Sequence, residues 1–213
     1  MHMQTLFKML LKNHHPQGWW PIAGKYHPRD YSCPRNQQQR EEIIIGAILT
    51  QNTSWKNVEK ALEQLRKNKL LSFSALLKCP KSTLATCIRS SGYFNQKAIK
   101  LKEIASFFKR NPYFRMLSLE KQREKLLHVH GIGPETADSI LLYAFRRPIF
   151  VVDAYTKRLF ALHGFKEKTY DEIQQRCMRE LPHDFKVYNE FHALIVAWGK
   201  TQRLNNRKGR KRV

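Results

Sequence analysis

His128-Val129-His130-Gly131-Ile132-Gly133-Pro134-Glu135-Thr136-Ala137 leads into an apolar helical stretch to Phe145, and Val151-Val152-Asp153 follows. Gly131-Ile132-Gly133 reads as a turn that opens a helix. Such a turn presents consecutive backbone N–H groups at the positive end of the helix dipole, a geometry suited to a DNA phosphate. The turn alone also fits an ordinary connection between two helices. What distinguishes it is the aspartate placed after an apolar pair just beyond the second helix.

Working outward, the 213-residue chain carries 39 Lys and Arg against 17 Asp and Glu, a formal charge of +22. That excess concentrates polyanions at the surface and makes binding strongly salt-dependent, so nucleic acid is the natural partner. The length allows one large domain or two small ones with a real core. No segment approaches the roughly 18 apolar residues of a membrane span, which argues against a membrane. The N-terminus shows no secretory h-region, and the expectation is a cytoplasmic, DNA-associated protein. Cysteines stand at 33, 79, 87 and 177 without a CxxC pair, and the histidines lack a paired-ligand spacing. Neither a disulfide framework nor a metal site is expected.

Helical periodicity dominates the rest. Val58, Ala61, Leu62 and Leu65 recur at i, i+3, i+4 and i+7, and so do Ala98, Leu101, Ile104, Ala105 and Phe108. Val187, Phe191, Leu194, Ile195 and Trp198 mark another helix. Thr169-Tyr170-Asp171-Glu172 fits a capping box, with Pro182 ending the helix after it. Ser72, Asn95 and Ser118 suit N-caps, and Gly164 suits a helix stop. No run alternates as a strand does. The pattern predicts an all-α fold of about ten helices. Residues 13–40 read largely as loop. Residues 205–213, with five positive charges and little to bury, read as disordered when alone.

Taken together, the hairpin and the aspartate resemble the signature of helix-hairpin-helix DNA glycosylases related to endonuclease III, and the resemblance extends over residues 17–200. It implies two helical domains. A helical barrel would occupy residues 41–147, and residues 1–40 and 148–213 would form a second, discontinuous domain, with the active site in the interdomain cleft. A monomer acting on double-stranded DNA with a damaged base is implied.

Asp153 matches the catalytic aspartate of that family. Breaking a base–sugar bond builds positive charge on the deoxyribose, and a carboxylate beside it stabilises that charge or activates water. As the residue before a helix, Asp153 equally suits an N-cap. Bifunctional relatives carry a Schiff-base lysine where this chain has Glu135, so a monofunctional enzyme is expected. Glu135 itself is a candidate pocket residue or a partner of the helix dipole. Gln51, in Ile48-Leu49-Thr50-Gln51, matches the family's wedge glutamine, which fills the gap left by an extruded nucleotide. Tyr93 matches the second wedge position. Gly131, Gly133, Thr136 and Lys97 are the expected phosphate contacts, with Lys200 and residues 207–213 as further candidates.

Within the family, Trp19-Trp20-Pro21, the stretch Gly46–Trp55 and Tyr93–Ala98 look most like 3-methyladenine DNA glycosylases of the endonuclease III type. There, aromatic residues matching Trp19 and Trp55 sandwich the flipped base. An N3-alkylated purine is cationic, so an indole face offers stacking plus about 0.5–2 kcal/mol of cation–π attraction. Trp55 also falls on the apolar face of its helix, so a core role is the alternative to the base pocket. Two departures narrow the field. No cysteine follows Cys177, so the iron–sulfur cluster of many relatives is not expected and no cofactor is implied. Gly46 stands where adenine-removing relatives carry a glutamate. The alternatives are a glycosylase for oxidised pyrimidines and a non-catalytic helix-hairpin-helix DNA-binding protein.

Overall fold

The computed structural model describes residues 1–209, with side chains through residue 202. The described residues form 11 α-helices and no sheet. They divide into two compact units. One comprises Ile22–Gly24 and Ser32–Phe145; the other comprises Met1–Pro21, Lys25–Tyr31 and the chain from Arg146 onward. The contiguous unit thus begins at Ser32, earlier than the expected residue 41.

In the contiguous unit, α2 (Gln37–Leu49) is apolar on nearly every side: Ile43, Ile44, Ile45, Ala47, Ile48 and Leu49 are all buried. A helix of that kind belongs at the centre of a core, and α2 packs against α3 (Trp55–Lys67), α6 (Phe94–Arg110) and α8 (Pro134–Ser139). The short helices α4 (Phe73–Lys78) and α5 (Lys81–Cys87) pack on α6. The helix α7 (Leu119–Leu127) packs on α8, which continues as a π-helical turn over Ile140–Ala144. Phe108, Phe114 and Phe145 stack and edge together at 5.0–5.8 Å. Burial of the Phe114 ring contributes about 1.5–3 kcal/mol, the half-buried Phe108 and Phe145 less, and each ring pair about 0.5–1.5 kcal/mol more from its geometry. The buried Asp138 accepts two hydrogen bonds from Arg123, at 2.8 and 3.2 Å, and so ties α8 to α7.

The other unit is built from α1 (Met3–His14), α9 (Ala154–Leu162), α10 (Tyr170–Glu180) and α11 (Phe185–Gly209). α11 packs on α1 and α9, and α10 packs on α1. Phe150 lies 5.5 Å from Phe191, and Phe7 meets Phe191 edge-on at 5.6 Å. Phe150, Val151 and Val152 are buried, and the Gln174 amide donates to the Phe150 carbonyl at 2.6 Å. The segment delivering Asp153 is therefore held on both its side chains and its backbone.

Most local signals appear as expected. Ser72 and Ser118 cap α4 and α7, and Thr169 with Glu172 forms a reciprocal capping box on α10. Gly164, at φ +69°, closes α9. The Phe165 N–H bonds the Phe160 carbonyl and the Gly164 N–H bonds the Ala161 carbonyl, with the Phe160 and Phe165 rings 4.7 Å apart. Two expectations fail. Asn95 is not a cap: α6 starts a residue earlier, behind Tyr93 in the left-handed region at φ 47°. The expected disorder of 205–213 is corrected for its first part, because the backbone of α11 runs on to Gly209. A helix already nucleated by packed residues propagates at one hydrogen bond per residue fixed, even through polar sequence. Residues 210–213 lie outside the described residues.

Candidate active site

The hairpin turn follows α7. Val129 and Ile132 are buried beneath it, with the Ile132 N–H bonding the Val129 carbonyl at 3.1 Å. Gly131 sits at φ +80°, a conformation that costs other residues about 1–2 kcal/mol. Gly133 is the N-cap of α8 at φ −94° with no side-chain cap, and nothing stands within 4 Å of where its Cβ would be. Pro134 occupies the first helical position, where its missing N–H costs nothing. Glu135 lies exposed in the first turn of α8. Thr136 is buried, and its hydroxyl accepts from Gln51.

Gln51 lies just past the end of α2. Its Nε2 donates to the Gly131 carbonyl at 3.1 Å and to Thr136 Oγ1 at 3.0 Å, while Oε1 accepts from Lys100 Nζ at 2.6 Å. Gln51 and Tyr93, the two wedge candidates, share an open depression of about 220 Å³ with Asn52, Lys100 and His130. Tyr93 is 66% exposed. Lys97 corrects an expectation: it is not a phosphate contact. Its side chain is 2% exposed, and its ammonium donates to the carbonyls of Leu49 at 2.8 Å and Ser91 at 2.7 Å. The end of α2 leaves carbonyls without intrahelical partners, and a buried cation satisfies one of them. Burial, and secondarily the charge of Lys100, push its pKa down to about 8.

Asp153 is the N-cap of α9. Oδ1 accepts from the Thr156 N–H at 2.7 Å and from Thr156 Oγ1 at 2.9 Å, in a capping box. Oδ2 faces the buried His192 of α11, whose Nε2 is 3.7 Å away. Burial pushes the Asp153 pKa up, but the His192 imidazole and then the Thr156 hydrogen bonds more than offset it, and the net shift is downward. The carboxylate is therefore ionised at neutral pH, with one oxygen committed to the cap and the other directed away from it. The cap and the catalytic readings of Asp153 are compatible on this geometry.

The aromatic candidates fall in different units. Trp19 is half-buried, edge-on to Trp20 at 5.5 Å, and Lys200 Nζ lies 5.2 Å from the centre of its ring. The ring already holds a cation over its face. Trp55 opens α3, half-buried rather than in the core, and its indole N–H donates to Glu59 at 2.9 Å. Two residues here were not singled out from the sequence, Lys100 and His192. Lys100 stands one turn along α6 from Lys97, a spacing that could have suggested a shared face; no sequence signal marks His192.

A glycine hairpin between two helices, in an all-α chain with an aspartate capping the helix beyond, defines a helix-hairpin-helix protein. The chain belongs to the HhH-GPD superfamily of base excision DNA repair proteins, whose family model matches residues 45–183. A proposed DNA repair glycosylase of Methanocaldococcus jannaschii is 42% identical over 199 residues, which is 90% of this chain and 84% of that protein. Endonuclease III of Thermotoga maritima is 27% identical over 170 residues, 78% of this chain and 77% of that enzyme. Among solved structures, the 3-methyladenine DNA glycosylase of H. pylori, bound to 1,N6-ethenoadenine, superposes with a TM-score of 0.74 at 27% identity. That match covers 94% of this chain and 96% of the H. pylori chain. No described helix is long and apolar enough to cross a membrane.

Proposed function

We propose that this member of the superfamily is a monofunctional DNA glycosylase that hydrolyses the N-glycosidic bond of alkylated purines such as 3-methyladenine in double-stranded DNA. The observation that carries this reading is the Asp153 carboxylate, ionised at neutral pH with Oδ2 outside the cap. Placed by the sugar of an everted nucleotide, it stabilises the oxocarbenium ion and orients water at the anomeric carbon. The hairpin backbone at Gly131 and Gly133 holds the strand, and Gln51 and Tyr93 fill the space the nucleotide leaves.

Substrate class is supported by the likeness to the H. pylori enzyme, and by Trp19 holding the Lys200 ammonium over its ring, which shows that this indole accepts a cation. A cationic base has a weakened glycosidic bond and needs no strong general acid; an indole face selects it by charge as well as by stacking. Glu135 supports hydrolysis without lyase action, because a carboxylate at that position cannot form an imine. Lys97, the amine with the depressed pKa, is held by two carbonyls. No iron–sulfur cluster enters the proposal, because no cysteine follows Cys177.

The test is incubation of the full chain with duplexes that each carry one defined lesion, followed by assay for abasic sites. Release of 3-methyladenine is expected, with Asp153→Asn lowering the rate by at least about 100-fold. Release of oxidised pyrimidines alone would move the chain to the endonuclease III specificity. Trp55→Ala is expected to slow excision by the roughly 2- to 30-fold that about 0.5–2 kcal/mol represents, with little change in binding to undamaged DNA. Borohydride on abasic DNA is expected to trap no covalent adduct.

A further inference from the structure

The geometry points to Lys100 as the positioning residue for Gln51, joining the wedge glutamine to the hairpin that grips the strand. Its ammonium donates to Gln51 Oε1 at 2.6 Å, while Gln51 Nε2 donates to the Gly131 carbonyl at 3.1 Å and Thr136 Oγ1 at 3.0 Å. The arrangement fixes which end of the carboxamide faces which way. A flipped amide would set NH₂ against an ammonium and an oxygen against the Gly131 carbonyl, leaving only the Thr136 hydroxyl, which can donate or accept, satisfied. Both amide protons and one oxygen lone pair are used, and the bond from Lys100 is the charge-assisted, stronger kind.

The route by which Lys100 reaches Gln51 gives Gly131 a second function. A Cβ on Gly131 would meet Cε, Cδ and Cγ of Lys100 at 2.6, 2.8 and 2.8 Å. The lysine stem therefore lies against the bare Cα of the turn. One side chain from α6 thus touches the hairpin along its length and holds the wedge at its tip. Lys100 is distinct in this from Lys97 one turn away, whose ammonium is spent on the carbonyls of Leu49 and Ser91. The step from a fixed carboxamide to base extrusion rests on Gln51 acting as the wedge.

Lys100→Met keeps the stem and removes the ammonium; Lys100→Arg restores a cationic donor. Two measurements on the full chain test the assignment. In the free protein, the side-chain NH₂ resonances of Gln51 are expected to move in Lys100→Met and to return toward native positions in Lys100→Arg; unmoved resonances overturn the proposal. In single-turnover release of 3-methyladenine from methylated duplex DNA, Lys100→Met is expected to lose about 10- to 100-fold in rate, with most of it regained by Lys100→Arg. Lys100→Met combined with Gln51→Ala should be no slower than Gln51→Ala alone. Fully additive losses, as an independent phosphate contact would give, overturn the proposal. If Gln51→Ala leaves excision intact, the wedge reading falls. The resonances, which require no lesion, then decide whether Lys100 orients Gln51.

Discussion

Two helix starts in this molecule handle negative charge in opposite ways. At α8 the N-cap is Gly133, exposed, without a capping side chain and with open space around its Cα. At α9 the N-cap is Asp153, whose carboxylate closes a complete capping box and is nearly enclosed by Thr156 and His192. Both termini have the positive electrostatic character that favours an anion. One start brings its own anion; on the proposed reading the other takes an anion from outside. A protein that must grip a polyanion and also present a carboxylate needs both arrangements, and they are not interchangeable.

The strongest attempt to break that contrast is at Asp153. Asn is as good an N-cap as Asp, so Asp153→Asn should leave thermal stability within about 1 kcal/mol of native while excision falls by at least about 100-fold. A fully active Asn variant would reduce Asp153 to a cap. Asp153→Ala, which also loses the cap, should cost a further 0.5–2 kcal/mol or so in stability.

At the hairpin, Gly131→Ala should destabilise the protein by about 1–2 kcal/mol, because φ is +80° and the Lys100 stem fills the Cβ position. Gly133→Ala has neither obstacle and should cost less, about 0.5–1 kcal/mol, the amount by which alanine is the poorer N-cap. If the hairpin grips the strand as proposed, it should nonetheless weaken duplex binding by placing a methyl at the phosphate contact. Equal stability losses in denaturant melts would erase the distinction between the two glycines. The smallest effect concerns His192. Replacing it with Phe removes an interaction that lowers the Asp153 pKa, so the acid limb of the excision pH profile should move to higher pH. Because the folded pKa lies below the unfolded one, Asp153 stabilises the fold above the unfolded value, and that stability is lost as pH falls through the folded value. Acid unfolding of His192→Phe should accordingly begin at higher pH than in the native chain. An unmoved profile would mean that Thr156 alone sets the carboxylate.

What was legible in the sequence was local. Ser72, Ser118, the Thr169–Glu172 box and the Gly164 stop act within six residues of themselves, and periodicity placed the buried faces of α3, α6 and α11. The hairpin turn and the capped aspartate were legible for the same reason. What was not legible depends on contacts across the fold. Lys97 looked like a surface cation, because nothing in its neighbourhood announces that the end of α2 stands ready to bond it. Lys100 meets a glutamine 49 positions away, and His192 faces an aspartate on another helix. Asn95 misled because its chemistry favours a cap, whereas the backbone at Gly92 and Tyr93, both at positive φ, had already turned the chain into α6.

The discontinuity of the Asp153-bearing unit has a consequence for synthesis. Its helix α1 leaves the ribosome early, yet the helices that cover it, α10 and α11, are made only after the whole Ser32–Phe145 stretch. The Ser32–Phe145 unit has most of its contacts in one continuous stretch and is free to fold while translation continues. Met3, Leu6 and Leu10 wait for α10 and α11 to cover them. The nascent chain thus completes the part with the hairpin before the part with the carboxylate.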